Sequence, residues 1–477
     1  MSPATIQLLL GVVHVTLATG VSSHVVLTKS DVRAAIGWIG LVWLTPVLGS
    51  VLYFFLGINR IRRAAGRMRA ARTHHTADRL AARTASAAEA ITVAEPLRQL
   101  ATLTSRMSVE PLTEGNSVTP LVDGDASYPA MIAAIESAHH SVALATYIFD
   151  RGAVADQFVA ALAAAVARGV EVRVLVDGVG VRYSRPTIVP LLRAAGVTVA
   201  QFLPSPVPFA HPYFNMRNHR KILVVDGTIG FTGGLNIRDL CLTTSSSPHM
   251  TRDVQFRFGG PVVRHLLEAF VIDWRFTTRE VLRGPSWFPE LDPVGDVVAR
   301  GIADGPDETQ DALLMTLLGA LTAARERVVI VTPYFLPELV LLEALRVAAL
   351  RGVDVVVMVP EQGNLRLVQW AQQAVLAQVL TRGCRVLLTR APFDHTKLMV
   401  VDDAWSLVGS ANWDPRSLRL NFEFVVECYS PRVASELLDL IAKKAVGARE
   451  RRRADLTERS LLTRLRDGAA WLLQPYL

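Results

Sequence analysis

The sequence predicts an α/β protein in which two N-terminal transmembrane helices precede a duplicated pair of α/β domains. Three observations predict it. Two long runs near the N-terminus lack any charged residue, short Val-rich segments alternate with helical periodicity through the rest, and one unusual string of residues occurs twice. The 477 residues suffice for two or three domains, each with its own core.

Hydrophobic residues make up 51% of the chain, a high share for a wholly soluble protein. The N-terminus accounts for it. From Ile6 to Leu27 and again from Ala34 to Ile58 there is no Lys, Arg, Asp or Glu. Each run is long enough to cross a bilayer core as a helix of about 20 residues. A cleaved signal peptide is the competing reading of the first run, but no basic residue precedes it and a second apolar run follows at once. His14 and His24 fall inside the first span and read as helix-face or interfacial residues. Arg60, Arg62, Arg63, Arg67, Arg69 and Arg72 follow the second span, against only Lys29 and Arg33 between the spans. The positive-inside rule then places everything beyond residue 59 in the cytoplasm.

Residues 60–115 read as an Ala/Arg-rich connector. Within 61–95 no Gly follows Gly66 and there is no Pro before Pro96, which predicts a polar helix over that stretch. Its His74 and His75, adjacent in sequence, would point to different helix faces and make no metal pair. Cys241, Cys384 and Cys428 are isolated, so neither a disulfide framework nor a cysteine zinc site is indicated, and a reducing compartment is the natural reading. The net charge of +7 fits an anionic lipid or a nucleic acid as partner and does not choose between them.

From residue 116 the chain repeats itself. In a first half, 116–300, the helical YPAMIAAIESA leads to VALATYIFD, then ALAAAVARGVEVRVLVDG and RAAGVTVAQFLP. A second half, 301–445, runs DALLMTLLGALTAARERVVIVTPYF, ALRVAALRGVDVVVMVPE, LTRGCRVLLTRAP. Strands that follow Arg-Gly turns and alternate with helices are βαβ units on a buried, partly parallel sheet. Each half closes on the same string, NHRKILVVDGTIGFTGGLN at 218–236 and DHTKLMVVDDAWSLVGSAN at 394–412, with the histidines 176 residues apart. That period is too long for a solenoid and right for a duplicated domain. The tail, 446–477, spaces leucines helically among basic residues and carries Trp471. It suits an amphipathic helix at an anionic membrane surface, or equally a segment docked on the catalytic body.

Residues two apart on a strand face the same way, so His219 projects with Lys221 and His395 with Lys397. The apolar run after each lysine anchors them in a buried strand. Asp226 and Asp402 complete the H-x-K-x4-D strings and are carried with the catalytic set, although each sits at a turn past the strand end, where a structural role reads better. Gly233-Gly234 and Gly409-Ser410 let backbone approach a bound group, with Asn236, Ser410 and Asn412 as phosphate-binding candidates. Such a constellation suits phosphodiester chemistry. Ammonium and amide donors cradle the phosphate, one imidazole attacks phosphorus, and the other protonates the departing alkoxide before activating the incoming alcohol. No metal or other cofactor is expected, because the histidines show no metal-ligand spacing.

The paired strings, followed by G-G-x-N and G-S-x-N, resemble the phospholipase D superfamily, and within it the bacterial cardiolipin synthases. PVLGSVLYFFLG, TYIFD, VTPYFLPE and GSANWDPRSLRLNFEF extend the resemblance over nearly the whole chain. It implies phospholipase D-like halves with the active site between them, a phosphohistidine intermediate on His219, and His395 as general acid and then base. It implies transfer of a phosphatidyl group between two phosphatidylglycerol molecules with release of glycerol, at the inner (cytoplasmic) membrane of a bacterium among anionic phospholipids, with no nucleic acid expected. Glu423 matches the family's acidic residue that orients an active-site histidine, and Asp253 is its counterpart in the first half. The chain departs from the family at His249-Met250-Thr251, where a tryptophan is common, and in RDLCLTTSSSPHM after Asn236. Rival readings are a lipid hydrolase, a transferase for another alcohol, a membrane-tethered nuclease and a catalytically dead scaffold.

Overall fold

The computed structural model describes residues 2–29, 31–57, 93, 95, 97–204, 216–306, 311–474 and 477. The chain divides into two compact units, residues 1–64 and 65–477. The predicted connector helix, with His74 and His75, lies outside the described residues.

In the first unit the helix Pro3–Thr28 is capped by Ser2, whose hydroxyl accepts from the Thr5 amide at 3.2 Å. Among the described residues it is the one helix long and apolar enough to cross a membrane by itself. The second uncharged run departs from the single helix expected of it. It forms Val32–Leu44 and Pro46–Leu52, interrupted at Thr45, because Pro46 has no amide hydrogen to continue the helical ladder. The pieces fold back on the first helix. Trp43 donates to the Ser22 hydroxyl at 3.1 Å, and His24 shares a 2.7 Å hydrogen bond with the Tyr53 hydroxyl, so His24 is a satisfied packing residue. Leu8, Leu10, Leu27 and Leu44 point outward.

The second unit is built on one 15-stranded sheet. The first half supplies β1 (Thr113–Val122), β2 (Ser141–Thr146), β3 (Glu171–Asp177), β4 (Thr198–Phe202), β5 (Ile222–Val225), β6 (Ile229–Gly233), the short β7 (Thr251–Arg252) and β8 (Val254–Gly259). The second supplies β9 (Val297–Asp304), β10 (Arg327–Val331), β11 (Asp354–Pro360), β12 (Arg385–Thr389), the short β13 (Phe393–Asp394), β14 (Leu398–Val401), β15 (Trp405–Gly409), β16 (Glu423–Tyr429) and β17 (Arg449–Glu450). Outward from the centre the first half runs β1-β8-β6-β5-β2-β3-β4 and the second β9-β16-β15-β14-β10-β11-β12, with β17 added at the edge. The duplication in the sequence is therefore a duplication of topology, joined where β1 pairs antiparallel with β9.

The elements form for the reasons the pattern gives. The parallel strands β2, β3 and β4, and likewise β10, β11 and β12, are covered by helices and read as nearly continuous Val-rich runs. The helices Ala153–Ala167 and Leu339–Leu350 each stop at an Arg-Gly pair, where Gly169 and Gly352 take left-handed φ values of 87° and 90°. All four residues of β5 and of β14 are buried. The helix Arg98–Met107, from the stretch expected to be connector, packs on the second half, where the Arg300 guanidinium donates to the Ser105 hydroxyl at 2.7 Å.

The tail helix Leu461–Leu472 docks on the helix Arg366–Thr381, with the Arg466 guanidinium 4.7 Å from the centre of the Trp370 ring. Gln474 donates to the Leu336 carbonyl at 2.7 Å, beside the site described below. The opposite side of this helix leaves Leu461, Leu462, Leu465 and Leu472 exposed. The docked and the amphipathic descriptions thus apply to its two faces.

Candidate active site

Each catalytic string enters its half immediately before a buried strand, β5 or β14. What precedes the strand decides the site. Arg217-Asn218-His219 runs beside Phe422: Phe422 donates its amide to the Arg217 carbonyl at 2.8 Å, and His219 donates to the Phe422 carbonyl at 2.9 Å. On the other side β13 pairs with β7, and the His395 amide donates to the Arg252 carbonyl at 2.7 Å. Each histidine's backbone is thereby zipped to the residue just before an acid of the opposite half.

The carboxylates consequently cross over. Glu423 of the second half takes the Nδ1 hydrogen of His219, at 3.0 Å from each of its oxygens, and Asp253 of the first half takes that of His395 at 2.8 Å. A carboxylate can only accept, so Nδ1 of His219 carries the proton and Nε2 keeps its lone pair; Asp253 calls for the same tautomer in His395, whose Nδ1 also has Lys397 Nζ at 2.9 Å. Burial pulls both imidazoles down to about 4. For His219 the neighbouring lysines add to this and Glu423 opposes it; for His395 Lys397 adds to it and Asp253 opposes it. Both rings are neutral at pH 7. Burial likewise lowers Lys221 to about 7 and Lys397 to about 8, against the pull of Glu423 and Asp253. Burial alone would raise the Glu423 carboxyl, but His219 and Lys221 hold it below its ordinary value.

His219 and His395 open on one pocket of about 340 Å³, lined on its polar side by Arg217, Asn236, Asp414 and Arg416 and on its apolar side by Leu336, Leu365 and Val368. Aromatic rings steady the imidazoles. Tyr147 meets His219 edge-on at 5.2 Å between centroids, and Tyr334 meets His395 at 6.1 Å. The lysines lie behind the pocket wall: Lys221 donates to the His219 carbonyl at 2.7 Å, and Lys397 to that of His395. Among the described residues no group of His, Cys, Asp and Glu could hold a metal ion.

Three of the candidate site residues, Asp226, Asp402 and Ser410, are not among those lining the pocket. Asp226 and Asp402 stand at the far ends of β5 and β14, roughly 13 Å along the strand from the histidine end at 3.3 Å per residue. Their oxygens accept the amides of His139, His140 and Ser141, and of Arg325, Glu326 and Arg327, all at 2.7 to 2.9 Å, fixing the starts of β2 and β10. Ser410, expected to bind phosphate, is fully buried and gives its hydroxyl hydrogen to Glu423 while accepting from the Phe424 amide at 3.0 Å. The structure brings His219, Lys221, Asn236, Asp253, His395, Lys397, Asn412 and Glu423 together around the pocket.

Sequence reasoning passed over Arg217, Tyr147, Asp414 and Asn421. Asp414 and Asn421 lie within the quoted GSANWDPRSLRLNFEF, and the one available signal was their nearness to Asn412 and Glu423. Burial pushes the Asp414 carboxyl up to about 6. Arg217, 3% exposed, lines the pocket and sits 3.7 Å from Asp177, whose charge offsets its own.

A family model described as "Cardiolipin synthase, PLD-like domain" matches residues 131–245 and 317–444, and one described as "Phospholipase D-nuclease N-terminal" matches residues 17–57. Cardiolipin synthase A of Pseudomonas entomophila is 32% identical over 100% of this chain and 99% of its own. The major cardiolipin synthase ClsA of Bacillus subtilis is 30% identical over 94% of this chain and 95% of its own. Among solved structures, a phosphatidylserine synthase of Haemophilus influenzae superposes on 80% of this chain and 100% of its own with a TM-score of 0.61 at 14% identity, a likeness of fold.

Proposed function

The chain belongs to the cardiolipin synthase family of the phospholipase D superfamily, and from that premise we propose that it joins two phosphatidylglycerol molecules into cardiolipin through a phosphohistidine. The observation that carries the proposal is the crossed pair of histidine–carboxylate hydrogen bonds opening on one pocket.

His219 is the nucleophile. Glu423 holds its Nδ1 hydrogen, so Nε2 attacks phosphorus, the P–N bond forms, and the bond from phosphorus to the headgroup glycerol breaks. The departing oxygen takes a proton from Nε2 of His395. That proton has to be acquired, because burial keeps the ring neutral. The phosphodiester anion of the substrate supplies the missing charge and favours imidazolium when it binds. Neutral His395 then removes the hydroxyl proton of the second phosphatidylglycerol, whose oxygen displaces His219 from phosphorus. Lys221 and Lys397 from behind, Asn236 from the wall and Arg217 beside it stabilise charge on the phosphoryl oxygens.

The same reading extends to the membrane. Val32–Leu44 and Pro46–Leu52 together supply 13 and 7 helical residues, enough for a kinked second span. The arginines from Arg60 onward hold the catalytic unit on the cytoplasmic side, in the five-part division at residues 59, 115, 300 and 445. The exposed leucines of Leu461–Leu472 rest on the anionic surface. Purified protein given acyl-labelled phosphatidylglycerol should yield cardiolipin and glycerol. Phosphatidic acid as the main product would assign a hydrolase instead, and no product at all would overturn the reading.

A further inference from the structure

Asn421 stands two residues before Glu423 and shares its carboxylate with His219. Its Nδ2 donates to Glu423 Oε1 at 3.2 Å, and since a carboxylate can only accept, the amide is fixed with its oxygen turned elsewhere. That Oδ1 has no donor among the described residues, although Asn421 is only 6% exposed and lines the pocket. Asn412 repeats the pattern. Its Nδ2 faces the Ser417 hydroxyl at 3.3 Å, its Oδ1 has no donor among the described residues, and it lines the same pocket at 5% exposure. In the first half the matching Asn236 differs, for its Oδ1 accepts the Ile148 amide at 3.1 Å. Among the described residues lining the pocket, the acceptors without a donor are those of Asn412 and Asn421 in the second half.

Buried acceptors without donors are costly, and a bound group that brings O–H or N–H hydrogens relieves them. A phosphoryl oxygen brings none. An ammonium headgroup would too, for Asp253 and Asp414 share the lining with Arg217 and Arg416, but donor and acceptor in the proposed reaction both carry a neutral glycerol. Its hydroxyls bring the hydrogens these acceptors lack. We propose that Asn421 and Asn412 form a headgroup subsite that accepts hydrogen bonds from the hydroxyls of a glycerol flanking the one that reacts. The inference rests on the phosphatidyl-transfer reading above.

The test uses the full-length enzyme in detergent, acyl-labelled phosphatidylglycerol as donor, and equal concentrations of 1,2-propanediol and 1-propanol as competing acceptors. These differ by one flanking hydroxyl. The wild type should form phosphatidylpropanediol in about tenfold excess over phosphatidylpropanol, the discrimination one hydrogen bond to a buried acceptor provides. Asn421→Leu should lower that ratio about tenfold, whatever happens to the absolute rates. Asn421→Ser supplies a second variant if the leucine fails to fold. A wild-type ratio near one, while cardiolipin still forms, would overturn the subsite and leave the function standing. An unchanged ratio in variants whose two products fall together would overturn it too, because Asn421 would then act only through Glu423. If no acceptor receives a phosphatidyl group, the reading beneath it fails and the subsite with it.

Discussion

Gly233-Gly234 in the first half and Gly409-Ser410 in the second occupy the same place after β6 and β15, yet they meet different acids. A Cβ on Gly234 would lie 2.4 Å from an oxygen of Asp253, whereas Ser410 uses its side chain to bond Glu423. The shorter acid has its carboxyl against the backbone, and the longer one leaves room for a hydroxyl to hold it. Around these centres the halves diverge further: the amide oxygen of Asn236 is filled by backbone, and that of Asn412 is open. Two copies of one fold thus acquire different walls where they must do different work. Neither half is complete alone, since each histidine is oriented by the other half's acid.

The largest test of that division removes the acids. Glu423→Gln should behave like loss of His219 and give no covalent adduct, whereas Asp253→Asn should behave like loss of His395. Each should cost on the order of 10³- to 10⁴-fold in turnover, the scale seen when a histidine's orienting carboxylate is neutralised. With a donor whose leaving group needs no proton, Asp253→Asn should recover adduct formation and Glu423→Gln should not. Recovery in both, or in neither, would break the division.

Smaller changes sharpen it. Gly234→Ala forces a Cβ against Asp253 and should lower turnover about a hundredfold through His395. Ser410→Ala removes one hydrogen bond from Glu423 and should lower the covalent step about tenfold. Pre-steady-state rates of adduct formation and breakdown separate the two. An equal effect of both variants on the same step would contradict the assignment.

In pH dependence the halves should look alike. Both histidines fold with values near 4, below the ordinary value of about 6.5. The unfolded chain therefore takes up these protons first as pH falls. Their contribution to stability is complete above about 6.5 and is lost as pH falls through about 4, on the order of a few kcal/mol for each ring. Denaturation midpoints in detergent at pH 7 and pH 4.5 should draw closer in His219→Gln and in His395→Gln. An unchanged gap would contradict the burial of neutral imidazoles.

Much of this was legible in the sequence because it was periodic or repeated. The Val-rich strands, the Arg-Gly helix ends and the paired strings depend on local pattern, and so does the side-by-side projection of His219 with Lys221. What sequence could not show was which residues meet across the halves. The crossing of Glu423 to His219 follows from Phe422 pairing with the 217–219 segment, and no spacing encodes that. Ser410 looked like a phosphate ligand until Glu423 was placed above it, and Asn421 passed unnoticed because its importance lies in an oxygen left without a donor. The second apolar run looked continuous because hydropathy does not register the missing amide hydrogen of Pro46.

The central claim is that the near-symmetric strings perform different steps, with His219 forming the bond to phosphorus and His395 moving the protons. Rapid quenching with a phosphorus-labelled donor that carries a stable leaving group, followed by peptide mapping of the trapped protein, tests it most directly. The account predicts label on His219 in the wild type, none in His219→Ala, and label retained in His395→Ala. Label on His395 would reverse the two roles, and no label on either histidine would contradict a covalent mechanism.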